Sequence, residues 1–520
     1  MPTPQADAGK WMLTLTVMLG TMLNAIDTSI VNVAVPYMRG NLGASVEEIS
    51  WVVTGYILSN VIVMPLIAMI STRFGRRRYY LFSVAAFTAT SLLCALATTL
   101  PMLVAARVLQ GIAGGSLAPL SQSIIRERFA PHEQGTAMGI FGLGVVIGPA
   151  LGPTLGGWLV DRFSWPWIFY VNLPLGLLNV AMVLRYLHDP PYLKRERVSL
   201  DLPGVALLVL GLGSLQLMLE EGERNDWFSS RFITGLLFIA FTALALFAWR
   251  ELTTPSPAVD LTLLGDAQFT SGVLISGMLG MGLFASTFLL PIFLQQLMGY
   301  PAFDAGVVMV PRSLAMGLTM PLAGRLYNRV GPRFLVSGGL LLSAASFLLM
   351  TRLSLDVGYR ELFLVQAVQG MGFGMTFVSV STATLASVPR PRMMAASGLY
   401  NVFRQVFGSI GIAWAANLLV RGQAQHRVRL ADGLLPYSER VAHWLEQSAA
   451  SLGARYGSLA AKVKALHLLD NLVQRQASML AFNRVYLVFG VMLLAALPLV
   501  LLMGQGGRVE KPEGNGMVLE

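Results

Sequence analysis

The sequence predicts an all-α polytopic membrane protein, with two six-helix bundles and two inserted helices, fourteen transmembrane helices in total. Three observations predict it. Only 12% of the 520 residues are charged and 55% are hydrophobic, whereas a soluble chain carries roughly 25% charged residues. Mean hydropathy is +0.63. Apolar runs of the length a spanning helix needs recur along the chain, and two stretches of sequence recur at nearly one offset.

The runs fall at 12–36, 50–70, 79–98, 101–125, 136–160, 166–187, 202–220, 231–249, 268–295, 305–326, 334–351, 361–385, 394–420 and 484–503. The polar "MPTPQADAGK" precedes a run too long for a signal segment, so the first run is a retained span. Arg73, Arg76, Arg77, Arg78, Arg126, Arg128, Lys194, Arg195 and Arg197 crowd alternate loops. By the positive-inside rule both termini are cytoplasmic. Membrane orientation accounts for the net charge of +10, and no nucleic acid is expected. The single cysteine, Cys94, excludes an intrachain disulfide.

"MPLIAMISTRFGRRR" (64–78) aligns with "MPLAGRLYNRVGPRF" (320–334) at an offset of 256, and "RVLQGIAGG" (107–115) with "QAVQGMGFG" (366–374) at 259. Each pair holds the same place in a block of six runs. The expected division is an N-terminal bundle (1–200), an inserted pair with linker (201–266), a C-terminal bundle (267–503) that includes an outer segment (421–480), and a tail (504–520). Parallel halves related about the membrane normal are a transporter architecture with its site between them at mid-depth.

Several motifs carry chemistry. In "STRFGRRR", Gly75 and its repeat Gly331 allow tight turns. Arg73, Arg76 and Arg77 either gate the inner ends of the bundles or simply set topology. In "LVAARVLQGIAGG", Arg107 is an intramembrane cation beside small residues that permit close packing. In "GIFGLGVVIGPALGPTLGGWL" (139–159), glycines and prolines crowd one span, which disfavours a straight, rigid helix.

These residues carry a family resemblance over nearly the whole chain. It resembles the major facilitator superfamily, in particular fourteen-span drug:proton antiporters of the EmrB/QacA type. The carriers are "IDTSIVNVAVP" in span 1, Arg107, Gln110 and Gly111 in span 4, and the antiporter motif Gly144, Gly148, Pro149, Gly152, Gly156 and Gly157 in span 5. "WIFYVNLPLG" and "NVFRQVFGSIGIA" add to it. Ala68 and Thr72 stand where the family usually has Gly and Asp, and Pro166 where it usually has Arg. The resemblance implies export rather than uptake.

Among 27 Asp and Glu residues and five His, only Asp27 lies deep in a span. A carboxylate at such depth costs at least about 2.5–3.5 kcal/mol, which points to function. Asp27 lies about 13 Å and Arg107 about 9 Å from the same outer side at 1.5 Å per residue, so the two can pair as a proton-coupling site. Arg312 and Arg404 are further intramembrane charges with no deep acid in their own half. No phosphate loop, no intramembrane His and one Cys argue against ATP drive, a metal, another cofactor or an enzyme. The expected activity is proton-driven export of hydrophobic or amphipathic compounds, with the lipid bilayer and a small lipophilic substrate as partners. The alternatives are uptake or facilitated transport of a small solute, or a non-transporting scaffold.

Residues 421–480 form the one long outer segment. Leu459, Val463, Leu466, Leu469 and Val473 recur at helical spacing. The segment is either a cap over the outer mouth or, as the resemblance implies, the docking surface for a periplasmic membrane-fusion adaptor leading to an outer-membrane channel.

Overall fold

The computed structural model describes residues 4–189, 201–255, 257–432, 434, 439–456 and 458–504, and these are helical with short connections. The N-terminal half holds α1 (Pro4–Leu42), α2 (Val46–Val63), α3 (Ile67–Phe74), α4 (Arg76–Ala95), α5 (Leu100–Gly114), α6 (Leu117–Arg128), α7 (Pro131–Arg162), α8 (Trp167–Tyr170) and α9 (Asn172–Tyr186). The inserted pair is α10 (Leu202–Glu221) and α11 (Arg231–Thr253). The C-terminal half holds α12 (Ala267–Ile292), α13 (Ala302–Val330), α14 (Pro332–Met350), α15 (Tyr359–Ala386), α16 (Met393–Asp432), α17 (Glu439–Tyr456) and α18 (Ser458–Ala495).

Twelve helices or continuous helix pairs are long and apolar enough to cross a bilayer. The other two expected crossings, α4 and α7, are helices of 20 and 32 residues. The α4 helix opens with Arg76, Arg77 and Arg78, which dilute its apolar character. Local signals set the ends. Ser45 and Glu48 cap α2 reciprocally, at 3.1 and 2.8 Å. Pro332 opens α14, where its missing N–H costs nothing.

The internal repeat is visible in the backbone. Gly75, between α3 and α4, has φ 88° and ψ 146°, and Gly331, between α13 and α14, has φ 90° and ψ 151°. Both are positive-φ positions that an L side chain resists. This turn end of the molecule is also where the two halves meet. On α7, a Cβ added at Gly139 would stand 2.7 Å from the Met320 carbonyl of α13, and one at Gly135 would stand 2.5 Å from the Gly324 carbonyl. Ser397 of α16 donates to the Pro119 carbonyl at 2.7 Å, and Asn401 Nδ2 donates to Gln122 Oε1 at 2.8 Å.

The inserted pair lies against both halves. Arg224, just past α10, donates to Ser50 of α2 at 3.1 Å, and Gln216 of α10 donates to Ser409 of α16 at 2.9 Å. The pair is closed on itself by Arg250 and Asp201 at 2.7 Å. Hydrogen bonds from Arg250, then from the Gly204 N–H, hold the Asp201 carboxyl below its ordinary range.

The described residues of 421–480 form a stalk on α16 and α18. At 1.5 Å per residue, α16 and α18 run to about 60 Å, roughly twice the hydrocarbon thickness. Their projecting parts are tied by Arg427 to Asp470 at 2.9 Å and by Arg484 to Gln425 at 2.8 Å, and α17 packs on α18. Helices α16 and α18 thus continue into this segment along their own axes, and α18 leads on into the last expected span. The expected apolar stripe is split: Leu459, Val463 and Leu466 are exposed, whereas Leu469 and Val473 are half-buried and follow Ala461 and Ala465 at four-residue steps. Leu459 is 80% exposed and Leu466 55%, while Ala461 and Ala465 make the buried face. Residues 433, 435–438 and 457 of this segment, the 504–520 tail beyond Gly504, and the loop cations Lys194, Arg195 and Arg197 lie outside the described residues.

Gly75→Ala or Gly331→Ala should each destabilise the purified protein by about 1–2 kcal/mol, since each forces a Cβ into a left-handed conformation. The check is the apparent Tm in detergent. Gly306→Ala, at an open helical position, should not lower it.

Candidate functional site

Asp27 lies mid-way along α1 and is fully buried. Arg107 of α5 donates from Nη1 to Asp27 Oδ2 at 2.6 Å. The other carboxylate oxygen accepts from Gln110 Nε2 of α5 at 3.0 Å and from Asn172 Nδ2 of α9 at 2.9 Å. Arg107 is spread over further partners: its Nε donates to the Val52 carbonyl at 3.1 Å, and Nη1 also to Gln110 Oε1 at 2.7 Å. The guanidinium lies 4.0 Å from the Tyr56 ring centroid, a cation–π contact. Ser91 of α4 accepts from Gln110 at 2.6 Å and from Asn172 at 3.2 Å. Five helices thus converge on one carboxylate. The pairing expected between Asp27 and Arg107 is found. The other fully buried carboxylates, Asp201 and Glu251, sit at the ends of the inserted pair.

Asn172, Ser91 and Tyr56 escaped the sequence reading, which counted charges. Asn172 stands in "WIFYVNLPLG", a polar side chain within an apolar run, so a census of amides in spans would have found it. Ser91 carries no such signal, because hydroxyls are common in spans and satisfy themselves on the preceding turn.

The α7 glycines explain how closely this site is held. Gly144, Gly148, Gly152 and Gly156 recur every four residues and make one stripe along α1. A side chain at Gly148 would stand 2.5 Å from the Ala25 backbone, and one at Gly156 2.8 Å from Ile30. At Gly144 and Gly152 it would strike Met18 and Ser29. These contacts bracket Asp27 on its own helix. Gly157 faces open space, so it lies off the stripe. Pro149 lies within the helix, and its side chain is outside the described set.

The expected gating arginines are held inside the N-terminal half. Buried Arg76 pairs with Glu127 of α6 at 2.8 Å. Arg77 donates to the Leu184 carbonyl at 2.6 Å, and its N–H to Asp189 at 2.7 Å. Arg73 lies over Phe74. The contacts that cross between halves come from other residues, among them Ser71 with Met394, and Asn328 with the His132 carbonyl.

The C-terminal half repeats the Asp27 network without its acid. At the repeat offset of 259, Ser286 takes the place of Asp27, Gln369 of Gln110 and Gln366 of Arg107. At 256, Arg312 takes the place of Tyr56. Ser286 donates to Gln369 Oε1 at 2.8 Å, and Arg312 Nη1 donates to Ser286 Oγ at 3.1 Å. Arg312 is 5% exposed and also reaches Thr287 at 3.2 Å. Arg404 donates to Asn401 Oδ1 at 2.9 Å and lies 5.2 Å from the Phe377 ring. Neither arginine has a carboxylate partner among the described residues.

A family model described as Major Facilitator Superfamily matches residues 17–412. The chain belongs to that superfamily. It is 32% identical over 505 residues to the fatty acid resistance protein FarB of Neisseria gonorrhoeae, covering 96% of each chain. It is 34% identical over 438 residues to the multidrug export protein EmrB of Escherichia coli K12, covering 84% of this chain and 85% of that one. Among solved structures, a double Trp mutant of XylE aligns with a TM-score of 0.62 at 15% identity, over 94% of both chains. That likeness concerns the fold. The superfamily consists of multi-pass membrane transporters, and an enzymatic role is set aside.

Asp27→Ala should strand the buried Arg107 charge and cost about 3–5 kcal/mol. Combining Asp27→Asn with Arg107→Gln should recover most of that loss. Thermal unfolding in detergent measures both.

Proposed function

We propose that this protein exports hydrophobic or amphipathic compounds in exchange for protons. The observation that carries the reading is Asp27, a fully buried carboxylate at mid-helix, held by Arg107, Gln110 and Asn172. A lone acid there would be expensive, and Arg107 supplies its counter-charge at 2.6 Å. A rearrangement that withdraws Arg107 removes that stabilisation and leaves the carboxylate to take a proton. The glycine stripe provides the means: α7 slides or tilts on α1 next to Asp27, while its other face rides on α13 of the opposite half. Proton occupancy and the packing of the halves are thereby coupled. The similarity to a protein named for multidrug export supports the direction.

In this reading the turn end bearing Gly75 and Gly331 is cytoplasmic, with both termini, and the protein lies in the inner membrane. The functional division follows the sequence boundaries: 1–200, 201–266, 267–503 and 504–520. The proton gradient supplies the energy and no cofactor is required. Arg73, Arg76 and Arg77 anchor the rim of the N-terminal half, so that it moves as one body around Gly75.

The stalk is the docking surface for a periplasmic membrane-fusion adaptor that passes cargo to an outer-membrane channel. Its Leu459, Val463 and Leu466 are left exposed by the described residues, and exposed apolar rows of this kind mark interaction surfaces.

Asp27→Asn should abolish efflux driven by a pH gradient in proteoliposomes while energy-independent exchange of cargo persists. Proton-coupled export at the wild-type rate would remove Asp27 from the mechanism. Replacing Leu459, Val463 and Leu466 together by Asp should leave folding and vesicle transport intact and abolish co-purification of the adaptor. Normal adaptor capture by that variant would place docking elsewhere.

A further inference from the structure

We propose that Arg404, Tyr400 and Ser276 form a site on the C-terminal half for the oxyanion head group of amphipathic cargo. The inference rests on the export reading and adds the chemical class of ligand that this half takes.

Charge asymmetry is the first observation. The deep charge of the N-terminal half is a closed pair, Asp27 with Arg107. The C-terminal half holds Arg312 and Arg404 with no acidic partner among the described residues. An unpaired cation at membrane depth is costly unless an anion meets it. Arg312 is closed in by the Ser286 and Thr287 hydroxyls and is 5% exposed. Arg404 is half-buried and therefore reachable.

Donors are the second. Arg404 Nε is buried without a hydrogen-bond partner among the described residues, and the Tyr400 and Ser276 hydroxyls are buried beside each other with no third group bonded to them there. Tyr400 lies one helical turn before Arg404 on α16, and Tyr400 and Ser276 are 0% and 1% exposed. All three groups can donate. No carboxylate among the described residues bonds to any of them. A guanidinium with such donors one turn away, where α16 packs on α12, suits an oxyanion.

Placement is the third. Ser397, Asn401 and Arg404 follow one face of α16, and the first two bond to α6 of the opposite half. Arg404 is the next position on that face. It is tied to the same contact, since Asn401 Oδ1 accepts from Arg404 while Asn401 Nδ2 donates to Gln122. The site therefore lies at the meeting of the halves, next to contacts that alternating access must break. Phe403 and Phe407, half-buried one turn apart on the same side of α16 beside Arg404 with centroids 6.2 Å apart, offer an apolar run for the tail.

The test is binding of two labelled probes, decanoate and decyltrimethylammonium, to the full chain in zwitterionic nanodiscs. Wild type should bind decanoate. Arg404→Gln should weaken decanoate by at least about tenfold, as expected for losing a desolvated charge pair, with the ammonium probe bound as in wild type or more tightly. Arg404→Lys should keep most decanoate affinity, and Tyr400→Phe should reduce it. Equal loss of both probes, unchanged decanoate binding in Arg404→Gln, or no decanoate binding by wild type would each overturn the site. Loss of decanoate binding when anionic lipid is added, relieved by Arg404→Gln, would assign the site to lipid phosphate and overturn the cargo assignment. Gradient-driven efflux of decyltrimethylammonium by wild type tests the export reading separately. If that efflux persists with no decanoate binding, only the head-group site falls.

Discussion

A carboxylate buried in the middle of a membrane helix is the constraint on which the rest depends. Asp27 cannot sit there alone, because the bilayer offers no water to solvate it. Arg107 neutralises it, and Gln110 and Asn172 fill its second oxygen. Arg107 in turn needs Val52, Tyr56 and Gln110. The demand passes from group to group until α1, α2, α4, α5 and α9 are fixed around one point. A network so fully connected has few intermediate arrangements, and that gives a proton two distinct environments to choose between.

Packing carries that local choice to the whole molecule. The α7 helix has a face of Gly144, Gly148, Gly152 and Gly156 against α1, and a second face at Gly135 and Gly139 against α13. Backbones in contact cannot shift independently. A change at Asp27 therefore reaches the seam between the halves through one helix. The seam itself is made of weak parts, side-chain amides, hydroxyls and glycine contacts, with no ion pair between the halves among the described residues. A contact surface of that kind can be opened without separating buried charges.

Much of this was legible in the sequence, for physical reasons. Spans are legible because hydrocarbon demands length and apolarity. The repeat is legible because Gly75 and Gly331 occupy the same left-handed conformation, which few other residues accept. Asp27 and Arg107 stand out because charge is rare at depth, and their facing positions followed from helix rise alone. Other features depended on which way a side chain points. Asn172 and Ser91 join the site through rotation of α9 and α4, which an apolar run does not encode. Arg76 and Arg77 looked like a latch between halves, yet their partners Glu127 and Asp189 lie within their own half. The stripe of Leu459, Val463, Leu466, Leu469 and Val473 was read as one face, but only the first three are exposed; Leu469 and Val473 fall toward the packed side that Ala461 and Ala465 make where α17 packs on α18.

The central claim is that Asp27 trades its proton against the packing of the halves. Proton exchange on cargo addition tests it most directly, measured with a pH indicator on the purified protein in weakly buffered detergent. The account predicts that wild type shifts the indicator by about one proton per bound cargo molecule in some part of a pH series. It predicts no shift for Asp27→Asn at equal cargo occupancy. An undiminished proton signal from the Asp27→Asn protein would contradict it.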